Sequence, residues 1–410
     1  ADRHVGSGQT YSTIASAIAA SSSGDNIVIH EGTYNEYYLQ PKSGTNLIGA
    51  NRFSGTYSSE LMPIIDSQQT TYHSSDNYDC IVLYPSKSNI TIEGLYLKDG
   101  GRDCIRLTDA GCSNITIRYC KLEISSWIGY ANDNAACIYI DPNSSTSGII
   151  EYCEIISTVA GVHGIIGFRG TGNWIIRNNT ITISGNGSGS KDSHGIFWKH
   201  NGTGANQFRV INNAIKVSVY SGNGGIWFVN DNTLIDNNLV YGSTIRYPLT
   251  IGGSMGVPGG SGSTITHNTV YGGVRAGVFM EDSYYAENTI WRNNIFVNTS
   301  SATEYSAFNL WVYGSGTHTA TEDHNCIYHS GQSNHFKRYS ASYNLSGWQA
   351  LGYGSGTVVE NPGFANGSGN LNTIADFEII SGNANNGGSD GHDMGCNVAL
   401  VGASPGEDTP

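Results

Sequence analysis

A short pattern recurs from about residue 89 to residue 330, and it constrains the fold more than any other feature. Each copy holds a brief alternation of apolar and polar residues, a polar pair, and a second alternation. Clear copies begin at Asn89, Asn114, Asn173, Thr264 and Thr289. The copies lie about 25 to 34 residues apart with no helical pattern between them, which indicates the coils of a parallel β-helix. The sequence therefore predicts an all-β protein with one domain, a right-handed parallel β-helix over residues 26–402.

We expect both ends of this solenoid to be protected, because terminal coils otherwise expose core and unpaired strand edges. In the N-terminal segment, residues 1–25, apolar side chains recur four residues apart at Ile14 and Ile18. This spacing predicts a short amphipathic capping helix within residues 11–22. The last residues, 403–410, are acidic and Pro-rich, which is typical of a tail or linker.

Aligning the coils brings small or amide side chains to one equivalent turn position. That position holds Leu95, Cys120, Cys153, Asn179, Asn213, Asn238, Asn268, Asn294 and Cys326. Stacked Asn amides can bond to the backbone and to each other along a solenoid, and Cys there acts as a small buried apolar side chain. The eight cysteines include no C-x-x-C pair, which argues against a zinc ribbon or a thioredoxin-type site. Cys104 and Cys137 also stack, either as thiols or as a disulfide.

Composition excludes several classes of partner. The formal net charge is −13 and 13% of residues are charged, so the clustered Lys and Arg that nucleic-acid binding needs are not expected. No apolar stretch approaches the about 18 residues that cross a bilayer, so we expect no membrane insertion. The chain opens with Ala-Asp-Arg-His rather than a signal sequence, so either it begins at a mature end or it has no targeting segment.

Segments near both ends resemble a known group of proteins. His30-Glu-Gly-Thr-Tyr, following Gly24-Asp25-Asn26-Ile, is similar to the opening of secreted right-handed parallel β-helix proteins of the pectate-lyase-like superfamily. Glu360-Asn-Pro-Gly-Phe and Asp393-Met-Gly-Cys are similar to their closing segments. The resemblance implies a secreted or cell-surface protein that acts on polysaccharide as a lyase, hydrolase or epimerase, or that only binds it. The general appearance also resembles the disaggregatases, which break down an extracellular heteropolysaccharide.

Catalytic residues cannot be carried over from that superfamily by motif. The galacturonase-type Gly-His-Gly with paired aspartates is absent, and Val162-His-Gly and Ser193-His-Gly match it only in part. The Asp-Pro-His-Glu motif of alginate epimerases is absent as well. The chemistry must therefore be inferred from the pattern of the strands.

A second strand in each coil can be aligned independently. Its second and fourth places are apolar and point inward, so its third and fifth places face outward. Aromatic and ionisable side chains alternate along this outward face, as a sugar-binding cleft requires, although loops folded over the face would make the same rings part of the core. We expect the following residues to bind substrate: Arg106, Tyr139, Asp141, Phe197, Trp227, Phe279 and Trp311. Ile166, Val229, Thr250 and Asn309 occupy the same face.

β-Elimination from a uronic acid needs a base for the proton at C5 and a cation for the carboxylate. Lys199 is the candidate base and Arg169 the candidate cation, with His194 and His200 nearby. These basic groups predict an acidic polysaccharide as the substrate. The alternative is hydrolysis by paired carboxyls two coils apart, which would lie about 6.5 to 9.5 Å from each other. The candidate carboxylates are Asp141, Asp231, Glu281 and Asp282, of which Asp231 with Glu281 or Asp282 fits this separation.

Two further alternatives remain open. Ca²⁺ bound by Asp141 or Asp231 could bridge a substrate carboxylate, but no Asp-rich motif supports a calcium site, so the metal is undetermined. A surface protein that binds glycans without cutting them is the other alternative, because an aromatic wall suffices for binding.

Overall fold

The computed structural model describes residues 1–54, 61–108, 111–127, 130–141, 146–168, 172–185, 192–199, 208–218, 224–242, 245–252, 259–273, 276–280, 286–300, 306–310, 319–367 and 371–402. The chain is an all-β solenoid of about nine turns with few helices. Its right-handed sense stays a prediction. Two compact units divide the chain: Ala1–Gly187 with Gly402–Pro410, and Ser188–Val401. The predicted boundaries at residues 25 and 402 stay predictions, and the tail 403–410 lies outside the described residues.

The first unit forms three parallel sheets. Its strands are, in chain order, β1 Asp2–Val5, β2 Asn26–Ile29, β3 Thr33–Tyr34, β4 Asn46–Gly49, β5 Ile64–Asp66, β6 Ile81–Leu83, β7 Ser88–Glu93, β8 Tyr96–Lys98, β9 Asp103–Thr108, β10 Ser113–Arg118, β11 Lys121–Ile124, β12 Tyr130–Asp141, β13 Thr146–Glu151, β14 Glu154–Ser157, β15 Ala160–Phe168, β16 Gly172–Arg177 and β17 Thr180–Ile183. The first sheet runs β1-β2-β4-β7-β10-β13-β16, the second β3-β5-β8-β11-β14-β17, and the third β6-β9-β12-β15.

The second unit repeats the three-sheet arrangement. Its strands are β18 His194–Lys199, β19 Phe208–Ile211, β20 Ala214–Val217, β21 Gly224–Phe228, β22 Leu234–Asp236, β23 Leu239–Gly242, β24 Tyr247–Ile251, β25 Thr264–Thr266, β26 Thr269–Gly272, β27 Val278–Met280, β28 Thr289–Arg292, β29 Ile295–Asn298, β30 Phe308–Leu310, β31 Ala320–Asp323, β32 Cys326–His329, β33 Phe336–Arg338, β34 Ala341–Tyr343, β35 Gly363–Phe364 and β36 Ile379–Ser381. Its sheets run β19-β22-β25-β28-β31, β20-β23-β26-β29-β32 and β18-β21-β24-β27-β30-β33-β34. Only β33–β34 and the separate pair β35–β36 are antiparallel among the described pairs.

The alternation of side chains explains why these segments form strands around a core. In β10, Ile115 and Ile117 are fully buried, whereas Asn114 is exposed and Thr116 is partly buried. Each strand pairs in register with the equivalent strands of the neighbouring coils, for example Ile115 of β10 with Ile90 of β7. The inward row therefore stacks apolar side chains on one another throughout the unit.

The described helices are α1 Ile14–Ala20, α2 Ala50–Phe53 and α3 Leu345–Ala350, and there are two 3₁₀ turns, Asp76–Tyr78 and Ile374–Phe377. The hydroxyl of Thr13 caps α1 by accepting a hydrogen bond from the Ser16 amide at 3.2 Å. Ile14 and Ile18 are buried, and α1 contacts β1 and β2. The predicted helix is thus present, while its role as a cap stays a prediction. None of the described helices is long and apolar enough to cross a bilayer.

The turn ladder is confirmed in both units. Cys120, Cys153 and Asn179 are buried in the first unit, where the Cys153 amide donates to Asn179 Oδ1 at 2.9 Å. In the second unit the backbone N–H of each ladder Asn before the last donates to the Oδ1 atom of the next Asn at 2.8 to 3.0 Å, and the backbone N–H of the last, Asn325, donates to Thr357 Oγ1 at 3.2 Å. The members there are Asn213, Asn238, Asn268, Asn294 and Asn325.

Cys326 was assigned to the ladder, and that assignment is wrong by one residue. Ile295 of β29 pairs with Cys326 of β32, so Asn325 is the residue equivalent to Asn294. Asn325 receives the Asn294 amide at 2.8 Å, and its own Nδ2 donates to the buried carboxylate of Glu322 at 2.7 Å. An amide can do both, whereas a thiol is a weak donor and acceptor.

All eight cysteines are buried free thiols. Cys104 of β9 and Cys137 of β12 occupy equivalent positions, as the sequence predicts, and Cys80 directly before β6 occupies the same position in the preceding coil. Of the two alternatives for Cys104 and Cys137, the structure has thiols.

The C-terminal part of the second unit packs over the second sheet. This part comprises β35, the 3₁₀ turn Ile374–Phe377, β36 and the segment that follows. Its apolar side chains form one buried cluster with side chains of the sheet. The cluster includes Tyr241, Ile295, Val297, Phe364, Phe377, Ile379, Met394 and Cys396.

Candidate functional site

Arg106 of β9 and Tyr139 of β12 are register partners in the third sheet of the first unit. The guanidinium carbon of Arg106 lies 4.1 Å from the centre of the Tyr139 ring, which is a cation–π contact. Arg106 also donates from Nη1 to Asp103 Oδ2 at 2.5 Å. The two residues meet as the sequence predicts. However, Arg106 is 6% exposed and Tyr139 is 3% exposed, so their predicted solvent exposure is wrong.

The sequence interpretation missed two aspartates in the same sheet: Asp79, shortly before β6, and Asp103, the first residue of β9. Asp79 and Asp103 occupy equivalent positions in adjacent coils and are both fully buried. Asp79 Oδ1 accepts from the amides of Arg102 and Asp103 at 2.9 and 2.8 Å, and Asp103 Oδ1 accepts from the Ala136 amide at 2.8 Å. The repeated Asp-Cys-Ile at 79–81 and 103–105 is the sequence signal that could have revealed them.

Burial governs the protonation of this carboxyl pair. It raises the pKa of Asp79 well above the usual value, and the neighbouring charge of Asp103 raises it further. Burial also raises the pKa of Asp103 to about 6, despite the nearby Arg106. Burial and the charge of Asp103 therefore both favour the protonated form of Asp79, while Asp103 is paired with Arg106. Because Arg106 is buried and forms an ion pair with Asp103, it is poorly placed to bind a substrate carboxylate.

In the second unit, His194, Phe197 and Trp227 form a cluster of rings on β18 and β21. Phe197 and Trp227 are register partners, and their ring centres are 5.1 Å apart. His194 lies 5.2 Å from each of them, edge-on to Trp227. Phe197 and Trp227 are only partly buried, in contrast to most of the outward-facing residues. The sequence alignment placed Phe197 and Trp227 side by side on one face, as the structure does, whereas the contact of His194 with both rings was not predicted.

Two contacts hold the rings in position. The Trp227 indole N–H donates to the carbonyl oxygen of Gly252 at 3.0 Å, which fixes the plane of the ring. A Cβ atom on Gly224 would lie 2.5 Å from His194 Nδ1, so the glycine leaves room for the imidazole. His194 itself is only 3% exposed. The cluster is therefore a rigid surface of two partly exposed rings backed by a buried imidazole.

Other residues predicted to face outward are buried. Ile166, Val229, Thr250 and Asn309 are at most 3% exposed. Asn309 is structural, since its Nδ2 donates to the carbonyls of Val278 and Ser306. Alternation along a strand sets the direction of a side chain, but exposure also depends on what packs over the sheet. The prediction of a continuous exposed wall is therefore wrong at these positions. Within the described residues the partly exposed rings of this face are Phe168 in the first unit and Phe197 and Trp227 in the second.

Asp231 follows β21, where its Oδ1 accepts from the Ser261 amide at 2.9 Å. It therefore supports the next coil, and its catalytic role stays a prediction. The remaining predicted site residues fall outside what the structure describes: Arg169, His200, Glu281, Asp282 and Trp311 entirely, and Asp141, Lys199 and Phe279 in their side chains. The backbone of Lys199 ends β18, two residues after Phe197.

No group of three or more His, Cys, Asp or Glu side chains in the described ranges could hold a metal ion. Asp231 lies in those ranges, whereas the side chain of Asp141 does not. Calcium binding by Asp141 or Asp231 therefore stays a prediction.

No protein-family model matches this sequence, and no curated protein matches it. Among solved structures, the chain is similar to pectate lyase Pel9A, with 13% identity, a TM-score of 0.49 and coverage of 93% of this chain and 89% of that one. It is similar to a rhamnogalacturonan lyase at 12% identity and TM-score 0.46, covering 92% and 95%. Pectin methylesterase PemA from Erwinia chrysanthemi follows at 14% and 0.39, covering 58% and 80%. Such low values assign no activity.

Proposed function

We propose that the protein is a polysaccharide-active enzyme that cleaves an acidic, uronic-acid-containing glycan. The observation that carries the proposal is the ring pair Phe197–Trp227, partly exposed in adjacent coils and backed by His194. Exposed rings held rigidly cost free energy in water, which a ligand with an apolar face recovers. The C–H face of a sugar ring is such a ligand.

β-Elimination is the favoured chemistry. Lys199, which ends β18, is the proposed base: it takes the proton from C5 of the uronate. The C5–H electron pair forms the C4–C5 double bond, and the glycosidic oxygen leaves C4 with a proton from a general acid. Arg169 is the proposed cation that stabilises the substrate carboxylate as charge develops, with His194 and His200 as further proton carriers.

Arg106 is not part of this proposal as a direct anion ligand, because it is buried and paired with Asp103. Hydrolysis by Asp231 with Glu281 or Asp282 is the alternative chemistry, and binding without cleavage is the alternative function. We propose that the protein acts outside the cell or at its surface. Helix α1 is proposed to cap the N-terminal coils.

The test is a panel of pectate, rhamnogalacturonan, alginate and neutral glycans. Each incubation is assayed for new reducing ends and for the ultraviolet absorbance of an unsaturated uronate. Both signals should rise together on an acidic glycan. Lys199→Ala should abolish both with binding retained, and Lys216→Ala on β20 is the matched control. Reducing ends without absorbance would favour the hydrolase, whereas binding without either signal would refute an enzyme on these glycans.

A further inference from the structure

A cavity of about 490 Å³ lies in the second unit, where the C-terminal segment packs over the turns between the first and second sheets. Asn237 and His267, on two of these turns, line one side. Glu378, Ile379 and residues between 390 and 399 line the other. None of these residues belongs to the ring cluster of β18 and β21, and none was among the catalytic or substrate-binding residues predicted from the sequence.

Hydrogen bonds hold the walls of the cavity in place. His267 Nε2 lies 2.8 Å from Asp390 Oδ2, and its Nδ1 lies 3.2 Å from Asp236 Oδ1. The Asn397 amide donates to Asn237 Oδ1 at 2.6 Å. Each bond joins the C-terminal segment to a turn or orients a turn residue. The cavity is therefore built before any ligand arrives, which lowers the cost of binding.

The lining offers acceptors, donors and an apolar surface together. Among the lining residues, Glu378 and Asp393 carry carboxylate oxygens, and His392 and Asn397 carry side-chain N–H groups. Ile379 and the neighbouring Val398 supply the apolar part. Hydroxyl groups match such a mixture, because each can donate to a carboxylate and accept from an N–H. The C–H face of a sugar packs on the apolar part.

We infer that this cavity binds a neutral saccharide of one or two sugar residues. Its volume lies within the range of small-molecule sites, about 300 to 1,000 Å³. A uronate would be repelled by Glu378, Asp390 and Asp393. An ammonium ion would match the carboxylates but leave the N–H donors unmatched. This site is separate from the acidic-glycan site proposed above and does not depend on it.

Binding can be measured on the full chain by saturation-transfer-difference NMR with cellobiose, lactose and xylobiose, with galacturonic acid and glucosamine as comparison ligands. At least one neutral disaccharide should give a saturable signal that galacturonic acid does not displace. Glu378→Ala should weaken that binding about tenfold, since it removes a charged hydrogen-bond acceptor. Ala399→Phe should abolish binding by filling the cavity. Glu287→Ala, an exposed carboxylate outside the lining, should leave it unchanged.

The result that overturns the inference is equally specific. Absence of a saturable signal with all three neutral disaccharides refutes it, as does binding that Ala399→Phe leaves intact. Tighter binding of glucosamine than of every neutral sugar would assign the cavity to cations instead. Amide spectra of each variant, compared with the unchanged protein, show whether a loss of binding comes from the cavity or from unfolding.

Discussion

Truncation of one ladder amide, Asn268→Ala, should destabilise the second unit far more than its small change in volume implies. The Asn268 side chain is 1% exposed and makes five hydrogen bonds. Its Nδ2 donates to the carbonyls of Ile235 and Thr266 and to Asn294 Oδ1. Its Oδ1 accepts from the backbone amide and the side chain of Asn238, both at 3.0 Å.

The magnitude follows from the groups that lose a partner. The Asn238 backbone N–H would be buried without an acceptor, which costs about 1–3 kcal/mol. The Ile235 carbonyl would also lose the Asn268 Nδ2 donor, and a small cavity would form. We therefore expect the free energy of unfolding to fall by about 2–4 kcal/mol. Asn268→Asp should be at least as damaging at neutral pH, because a carboxylate would face the Ile235 and Thr266 carbonyl oxygens. Protonation in acid should partly restore that variant.

Urea unfolding followed by tryptophan fluorescence and circular dichroism measures the change, read as a shift in midpoint at constant slope. Asn366→Ala is the matched control, since the exposed Asn366 amide makes one bond of 3.2 Å to Asp376. We expect the control to lose less than about 0.5 kcal/mol. A loss below about 1 kcal/mol in Asn268→Ala, or a loss equal to that of the control, would refute the ladder as a source of stability.

Three further predictions follow from the sites. Asp79→Asn should leave stability unchanged in acid, where the buried carboxyl is protonated, and should raise it at alkaline pH. The sign is set by the raised pKa of Asp79, because the wild-type protein loses stability as pH rises through that pKa; a thermal-unfolding series against pH measures it. Trp227→Ala should weaken glycan binding with little change in unfolding, whereas Trp291→Ala, fully buried, should cost about 3–5 kcal/mol. A thiol reagent should find eight reactive cysteines after unfolding and almost none before, and fewer than eight would indicate a disulfide.

The inward rows and the ladder could be predicted from sequence because each depends on a short repeat. Ile115 and Ile117 are inward wherever the strand alternates, and the polar pair that ends each first strand places Asn at the same turn. The error at Cys326 is instructive. His324-Asn325 is the pair equivalent to Asn293-Asn294, but the interpretation followed the cysteines of earlier coils rather than the pair.

For the outward face, the sequence predicted which way the side chains point but not whether they are exposed. Arg106 and Tyr139 lie on the predicted face, yet both are buried, with Arg106 paired to Asp103 and lying over the Tyr139 ring. Phe197 and Trp227 have the same alternation but are only partly buried. Alternation is identical in both cases, so it cannot distinguish a buried ring from an exposed one.

The sequence by itself determined the solenoid, its inward apolar rows and most of its Asn ladder, because these follow from a repeat whose period matches one coil. Only the tertiary structure decided which polar groups share a low-dielectric environment. Asp79 and Asp103 are 24 residues apart and become neighbours only when coils stack, and His267 meets Asp390 only when the C-terminal segment folds back. Protonation and binding depend on such contacts between residues distant in sequence, because burial and nearby charge, rather than residue type alone, set the free energy of a charged group.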